Sequence, residues 1–277
     1  MNKIELHQGN CLEVMKSIPD GSVDAVICDP PYGTTRCKWD SVIPLEEMWV
    51  HLKRVAKKNG AIVLFGSQPF TSVLGASWVD GLRYSLVWEK GRPTNFPNAK
   101  RMPLKGFEDM LVFYTKPPCY NPQGLIKVDK NVVNTGTKAR KDSTKENGDR
   151  TAVHNNISRN KVYMQEYTNY PRGILKYTQD SPSLHPTQKP VKLLKKLIEI
   201  FTDEGEVVID PCAGSGSTLV AATELNRKAY GFEIDRKIYA DANKWVAKMK
   251  QRKLDIDTYG FSKTEFDNLE PNLFTEL

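Results

Sequence analysis

At 277 residues, with 39% apolar and 26% charged residues, the chain is long enough to bury one sizeable core and has an ordinary globular composition. No apolar run approaches the roughly 18 residues that cross a bilayer, and the opening Met1-Asn2-Lys3-Ile4-Glu5 lacks a secretion-signal pattern, so a cytoplasmic protein with no membrane partner is expected. The net charge is +7, and Cys11, Cys28, Cys37, Cys119 and Cys212 form no Cys-x-x-Cys pair, which argues for reduced thiols and against a zinc or other metal site.

In chain order, the first strand is expected at residues 3–7 and the second at 23–28. The second ends in Asp29-Pro30-Pro31-Tyr32. Each proline fixes its own φ and keeps the preceding residue out of helical space, so the Asp29 carboxylate and the Pro30 carbonyl can converge on one ligand amino group, with Tyr32 as a stacking face. An ordinary strand-to-loop exit has the same composition. The following Gly33-Thr34-Thr35-Arg36-Cys37-Lys38-Trp39-Asp40 reads either as a surface turn or as a mobile lid whose Arg36 and Lys38 contact phosphates.

Helices near 45–57 and 68–78 then alternate with strands at 61–65, 84–89 and 109–114. From Lys116 to Asp180 there are twelve Lys or Arg against six Asp or Glu, so most of the net charge lies in about a quarter of the chain. This stretch, centred on Lys138, Arg140 and Lys141, is poor in apolar periodicity, and a linker would account for its composition. Tyr163, Tyr167, Tyr170 and Tyr177 interleave with the charges and favour a nucleic-acid-contacting insert, to which Arg92 would add from outside.

Beyond the insert come a helix at 190–202, a strand at 207–210, a helix at 217–226, a strand at 228–232 and a helix at 235–250. Asp210-Pro211-Cys212-Ala213-Gly214-Ser215-Gly216-Ser217-Thr218 is a glycine turn between strand and helix, and Glu233 follows seventeen residues beyond Gly216 at the end of the next strand. An acid so placed accepts ribose hydroxyls. Leu219 replaces the third glycine of a dinucleotide fingerprint and no Gly-Lys-Ser/Thr is present, so the turn suits a ligand carrying adenosine without phosphates, such as S-adenosyl-L-methionine. The alternation predicts an α/β fold with a doubly wound, Rossmann-like sheet. Asp29 and Asp210 would then meet at the carboxyl rim.

The order of these motifs resembles the permuted β class of DNA amino-methyltransferases, in which the catalytic tetrapeptide precedes the cofactor glycines. Three further stretches carry the resemblance: Ile4 to Met15; Trp88-Glu89-Lys90 with Glu108-Asp109-Met110-Leu111-Val112-Phe113-Tyr114; and His185-Pro186-Thr187-Gln188-Lys189-Pro190. It implies a methyltransferase sheet with an inserted basic target-recognition region. The catalytic half would occupy 1–115, the recognition insert 116–184, the cofactor half 185–250 and a tail 251–277. Asp29, Pro30 and Tyr32 would be catalytic. Asn10, Cys11, Asp29, His185, Thr187, Lys189, Asp210, Pro211, Cys212, Gly214, Gly216, Ser217, Thr218 and Glu233 would hold the cofactor. Asn10 stands where the family has Asp, and Cys212 where it has Phe.

The resemblance implies methyl transfer from S-adenosyl-L-methionine to adenine N6 of a base flipped out of double-stranded DNA, since an initial Asp goes with adenine more often than a Ser does. Cytosine N4 is the alternative within the family. A catalytically weak nucleic-acid-binding protein, and an enzyme acting on RNA or a protein amide, stand further off, the last usually showing Asn-Pro-Pro-Tyr after the glycines. A homodimer and a cognate restriction nuclease are partners compatible with this reading.

Overall fold

The computed structural model describes residues 3–34, 40–134, 163–181, 183 and 187–259. Strand β1 (Ile4–Gln8) leads into the short helix α1 (Cys11–Val14), whose first turn is capped by the Asn10 side chain accepting from Leu12 N at 3.0 Å. Then follow β2 (Val23–Cys28), α2 (Leu45–Val55), β3 (Ala56–Gly66), α3 (Phe70–Ser77), β4 (Leu82–Thr94) and β5 (Lys105–Phe113). A hairpin, β6 (Ile126–Asn134) and β7 (Tyr163–Thr168), precedes β8 (Ile174–Tyr177), α4 (Val191–Phe201), β9 (Val207–Asp210), α5 (Ser217–Glu224), β10 (Lys228–Glu233) and α6 (Arg236–Tyr259).

Two compact units result, residues 122–171 forming one and the rest the other. The smaller contains the antiparallel β6–β7 pair as its own sheet. The larger is built on a sheet of order β1-β10-β9-β2-β3-β5-β4-β8. From β1 through β3 every neighbouring pair is parallel, so five strands deliver their carboxyl ends to one rim.

Alternation along the central strands divides the core in two. Ala25 and Ile27 of β2, with Ala61, Val63 and Phe65 of β3, face the apolar stripe Leu193, Leu194, Leu197, Ile198 and Phe201 of α4, alongside buried residues of α5 and α6. Val26 and Cys28, with Ile62 and Leu64, face Met48, Trp49 and Leu52 of α2 and Phe70 and Leu74 of α3. β2 is buried at every position, as a central strand covered on both faces must be. No described helix is long and apolar enough to cross a membrane.

The sequence-predicted elements are present, with differences of direction, boundary and number. β5 runs antiparallel between β3 and β4, because β4 and β5 are joined by a short connection with one 3-10 turn (Phe96–Asn98) and not by the crossover helix that parallel neighbours need. The expected insert of 116–184 is wider than the compact unit, since β8 pairs in parallel with β4 in the main sheet. The expected tail boundary at 251 falls inside α6, which continues to Tyr259. Beyond the predicted elements lie α1, four residues being too few to show a period, and the strands β6, β7 and β8.

Gly231 in β10 sets how closely α5 can approach the sheet. A Cβ there would lie 2.6 Å from Leu219 Cδ1, 2.9 Å from Ala213 Cβ and 3.1 Å from Leu6 Cδ1. Gly231→Val is therefore expected to destabilise the protein by about 1–3 kcal/mol in denaturant unfolding through overpacking. Gly106→Ala, where a Cβ meets nothing within 4 Å, is the matched control and should stay within about 0.5 kcal/mol of the parent. Equal effects at the two positions would remove close packing as the cause.

Candidate active site

At the carboxyl rim the strand ends surround a cavity of about 670 Å³. Asp29, Pro30 and Tyr32 from the end of β2, Asp210, Pro211 and Cys212 from the end of β9, and Glu233 from the end of β10 all lie on its wall. Asn10 and Cys11 of α1, Thr187 and Lys189 before α4, and Gly214, Ser217 and Thr218 around the start of α5 complete the predicted residues found there. Gly216 is not on the wall. It has φ +83° at the N-terminus of α5, and a Cβ would come within 2.9 Å of Val246 Cγ2, so it permits the turn and the packing of α6. Arg92 lies exposed in β4 and is not on the wall, although Lys90 and Thr94 of the same strand are. His185, Arg36, Lys38, Lys138, Arg140 and Lys141 lie outside the described residues.

The tetrapeptide is held from both sides. The Tyr32 hydroxyl donates to Asp29 Oδ1 at 2.5 Å, and its ring stacks on Phe70 with centroids 5.2 Å apart. Burial pushes the Tyr32 phenol well above its ordinary range, with the Asp29 charge adding to the effect, so it remains a donor. The Asp29 side chain keeps 26% of its surface open, on the wall of the cavity. Burial raises its carboxyl above the usual range, against the lowering effect of the Lys189 ammonium that donates to Oδ2.

Lys189 is itself 8% exposed and also lies 3.2 Å from Glu108 Oε2. Glu108 in turn accepts from Lys90 Nζ at 2.6 Å on Oε1. Burial alone would raise Glu108, but the two ammonium groups hold it below the ordinary carboxylate range. Lys90 lies 5.1 Å from the centre of the Trp88 ring, and Lys189 lies 5.2 Å from that of Phe65. Lys90, Trp88, Phe65 and Glu108 all line the cavity, and sequence reasoning assigned none of them a role. The segments Trp88-Glu89-Lys90 and Glu108-Asp109 were quoted only as strand landmarks, yet a Lys and a Glu inside strand patterns were the available signal.

The opposite end of the cavity is built from main-chain turns. Gly214 has φ +51° and its N–H donates to Glu233 Oε2 at 3.0 Å, while Asp235 N donates to Oε1 at 2.7 Å. Gly9 N donates to the Glu233 carbonyl at 2.9 Å and ties the end of β1 to the end of β10. Burial raises the Glu233 carboxyl despite these donors. Asp210 accepts from Thr218 Oγ1 at 2.6 Å and from Cys212 N at 3.1 Å, and burial pushes it up to about 7. Cys11, Cys28 and Cys212 are free thiols beside it, and burial pushes the Cys28 thiol up to about 12.

A carboxylate satisfied by the glycine-turn N–H occupies the place where a phosphate would sit in a nucleotide site. No lysine is bonded to the turn among the described contacts. The donor and acceptor set therefore fits a ribose or other neutral hydroxylated group at Glu233, with carboxylates and apolar walls further in.

Against known proteins, a DNA methylase family model matches residues 23–244. Among curated relatives, the DNA adenine methyltransferase YhdJ of Escherichia coli (strain K12) is 28% identical over 265 residues, 91% of this chain and 82% of YhdJ. Type II methyltransferase M.HpaI of Haemophilus parainfluenzae is 24% identical, covering 92% of this chain and 76% of its own length. Among solved structures, the M1.HpyAVI–SAM complex superposes with a TM-score of 0.56 at 23% identity, covering 87% of this chain and 98% of that one. The cytosine-N4-specific PvuII DNA methyltransferase gives 0.60 at 15% identity, covering 92% and 93%. Because the family model spans most of the chain, including the strand ends that carry Asp29, Asp210 and Glu233, this protein belongs to the N6/N4 DNA methylase family.

Proposed function

We propose that the protein transfers a methyl group from S-adenosyl-L-methionine to adenine N6 in duplex DNA, with Asp29 and Pro30 gripping the amine and the Gly214–Glu233 end holding the methyl donor. The observation that carries this is the shared cavity. A carboxylate shaped for an amino group and a carboxylate shaped for a ribose stand on one wall system, brought together from sequence positions far apart.

S-adenosyl-L-methionine, when bound, supplies an electrophilic methyl on a cationic sulfur. Glu233 accepts from ribose hydroxyls, and Asn10, Cys11 and Cys212 form the wall beside it. The exocyclic amine of a base is a weak nucleophile because its lone pair is delocalised into the ring. Accepting its two N–H groups on Asp29 and on the Pro30 carbonyl favours a pyramidal nitrogen and stabilises the positive charge that develops there. Asp29 then takes the proton the nitrogen sheds. Tyr32 holds the carboxylate in orientation and presents its ring to the flipped base, with Phe70 backing the stack.

Adenine follows from Asp at the head of the tetrapeptide and from likeness to a named adenine methyltransferase. The basic segment within 122–171, with Lys138, Arg140 and Lys141, supplies non-specific phosphate attraction and sequence preference, assisted by Arg92, Arg36 and Lys38. The chain order, Asp29 motif before Gly214 motif, supports the permuted β arrangement, and likeness to type II methyltransferases supports a restriction nuclease as companion in the cytoplasm.

Nucleoside mass spectrometry of unmethylated duplex DNA treated with the protein and the methyl donor tests this directly, with N6-methyladenine the expected product. N4-methylcytosine would overturn the base assignment, and no methylated base from several DNAs would overturn the enzyme reading. Asp29→Ala should lower product formation by at least about a hundredfold while donor affinity, measured by calorimetry, stays within about threefold. Glu233→Gln should weaken donor binding by about tenfold, equivalent to about 1.4 kcal/mol, by loss of a charged acceptor.

Asp210 yields a pH prediction. Its folded-state value of about 7 lies above the ordinary unfolded value of about 3.9. Between those values the folded protein binds a proton that the unfolded chain does not, so this group's stabilising contribution is complete below about pH 4 and is lost as pH rises through about 7. Asp210→Asn should therefore raise the melting temperature of the ligand-free protein at pH 8 and change it little at pH 4. A lower melting temperature at pH 8 would show that the Thr218 and Cys212 hydrogen bonds outweigh desolvation.

A further inference from the structure

Two observations around Asp29 go unused by the methyl-transfer chemistry. Both of its oxygens already have donors, Tyr32 on Oδ1 and Lys189 on Oδ2, so a target amine meets a carboxylate that is engaged. Glu108 Oε2 is fully buried and pairs with the same Lys189 Nζ at 3.2 Å, a longer contact than the one that ammonium makes to Asp29 Oδ2. One buried ammonium thus bridges two carboxylates, and a buried carboxylate oxygen held only by a long ion pair gains when the cation moves closer.

Resting on the methyl-transfer reading above, we propose that Lys189 is a positioning residue that holds Asp29 in the empty site and passes onto Glu108 when the target amine takes its place on Asp29. Lys90 completes the device. It occupies Glu108 Oε1 at 2.6 Å and leaves Oε2 as the one oxygen of that carboxylate facing Lys189. Two cations and two anions make the buried chain Asp29, Lys189, Glu108, Lys90 neutral, so moving Lys189 by a fraction of its reach changes which carboxylate it neutralises without exposing a net charge. A cation left on Asp29 would also oppose the positive charge growing on the nitrogen. Transfer to Glu108 removes that opposition at the moment the amine arrives.

The charged and titratable groups facing Asp29 are Tyr32 in its own loop, Cys28 before it, Lys189 from the segment preceding α4, Glu108 on β5 and Asp210 on β9, while Lys90 on β4 and Lys105 on β5 face Glu108. Among them Lys189 lowers and Glu108 raises the proton affinity of Asp29, so the two variants below move it in opposite directions.

The test is the pH profile of kcat, with KM for duplex DNA and calorimetric donor affinity, for the full chain and the variants Lys189→Met, Lys189→Arg and Glu108→Gln. In Lys189→Met the acid limb should move up by about one pH unit or more, because a desolvated Asp29 without its cation protonates sooner. Glu108→Gln should move the acid limb down and raise KM for DNA by about tenfold, since Lys189 loses its alternative partner and stays on Asp29. Lys189→Arg keeps a charge on Asp29 and should restore the acid limb to within a fraction of a unit even if Lys189→Met is too unstable to assay. The proposal is overturned if the limb stays put in all variants, or moves the same way in Lys189→Met and Glu108→Gln. It is equally overturned if Lys189→Met acts only by weakening donor binding. An inactive parent protein would instead sink the methyl-transfer reading.

Discussion

Five parallel neighbours, β1, β10, β9, β2 and β3, impose one direction on the chain, and everything at the site depends on it. Parallel strands carry all their carboxyl ends to the same rim, where backbone groups leave the sheet and side chains are free to face a ligand. Asp29 and Lys189 are 160 positions apart in sequence and yet form one ion pair, because the end of β2 and the approach to α4 meet at that rim. Buried faces on both sides, Ala25 and Ile27 against α4, Val26 and Cys28 against α2 and α3, hold β2 in register and so hold the carboxylate that follows it.

The rim concentrates negative charge. Asp29, Asp210 and Glu233 all have carboxyls raised by burial, and of the three only Asp29 has an ammonium donor among the described bonds. Such a site is uncomfortable when empty and favours a cationic occupant, as the sulfonium of the methyl donor is. Stability and function pull against each other at Asp210 for this reason. The desolvation that weakens the folded protein near neutral pH is what makes the cavity attractive to positive charge.

How much of this was legible in the sequence follows from distance along the chain. Asp29-Pro30-Pro31-Tyr32 and Asp210 to Thr218 act through residues adjacent to one another, and their conformations follow from local proline and glycine rules, so they were readable. Glu108 was not, because a glutamate on a strand is solvated by default and its partner Lys189 is brought by the sheet, not by spacing. β8 was hidden in a basic stretch, four residues with only Ile174 and Leu175 as apolar signal. Gly216 reads in sequence as one more glycine of the cofactor turn, because turn glycines look alike there. The approach of Val246, invisible in sequence, shows that its missing Cβ also makes room for α6.

Both chain junctions of the 122–171 unit are fastened within the main unit by bonds that the strand order supplies. Asn121 N donates to the Ile200 carbonyl at 2.8 Å and its side chain to Asp203 Oδ1 at 2.8 Å. On the return, Val87 N donates to the Gly173 carbonyl at 2.7 Å, and Trp88 Nε1 to the Tyr177 carbonyl at 2.9 Å. Changes of length between two such anchors cost only slowly growing loop entropy. The chain is thus divided into a portion whose geometry must be kept and a portion that can be lengthened, shortened or exchanged.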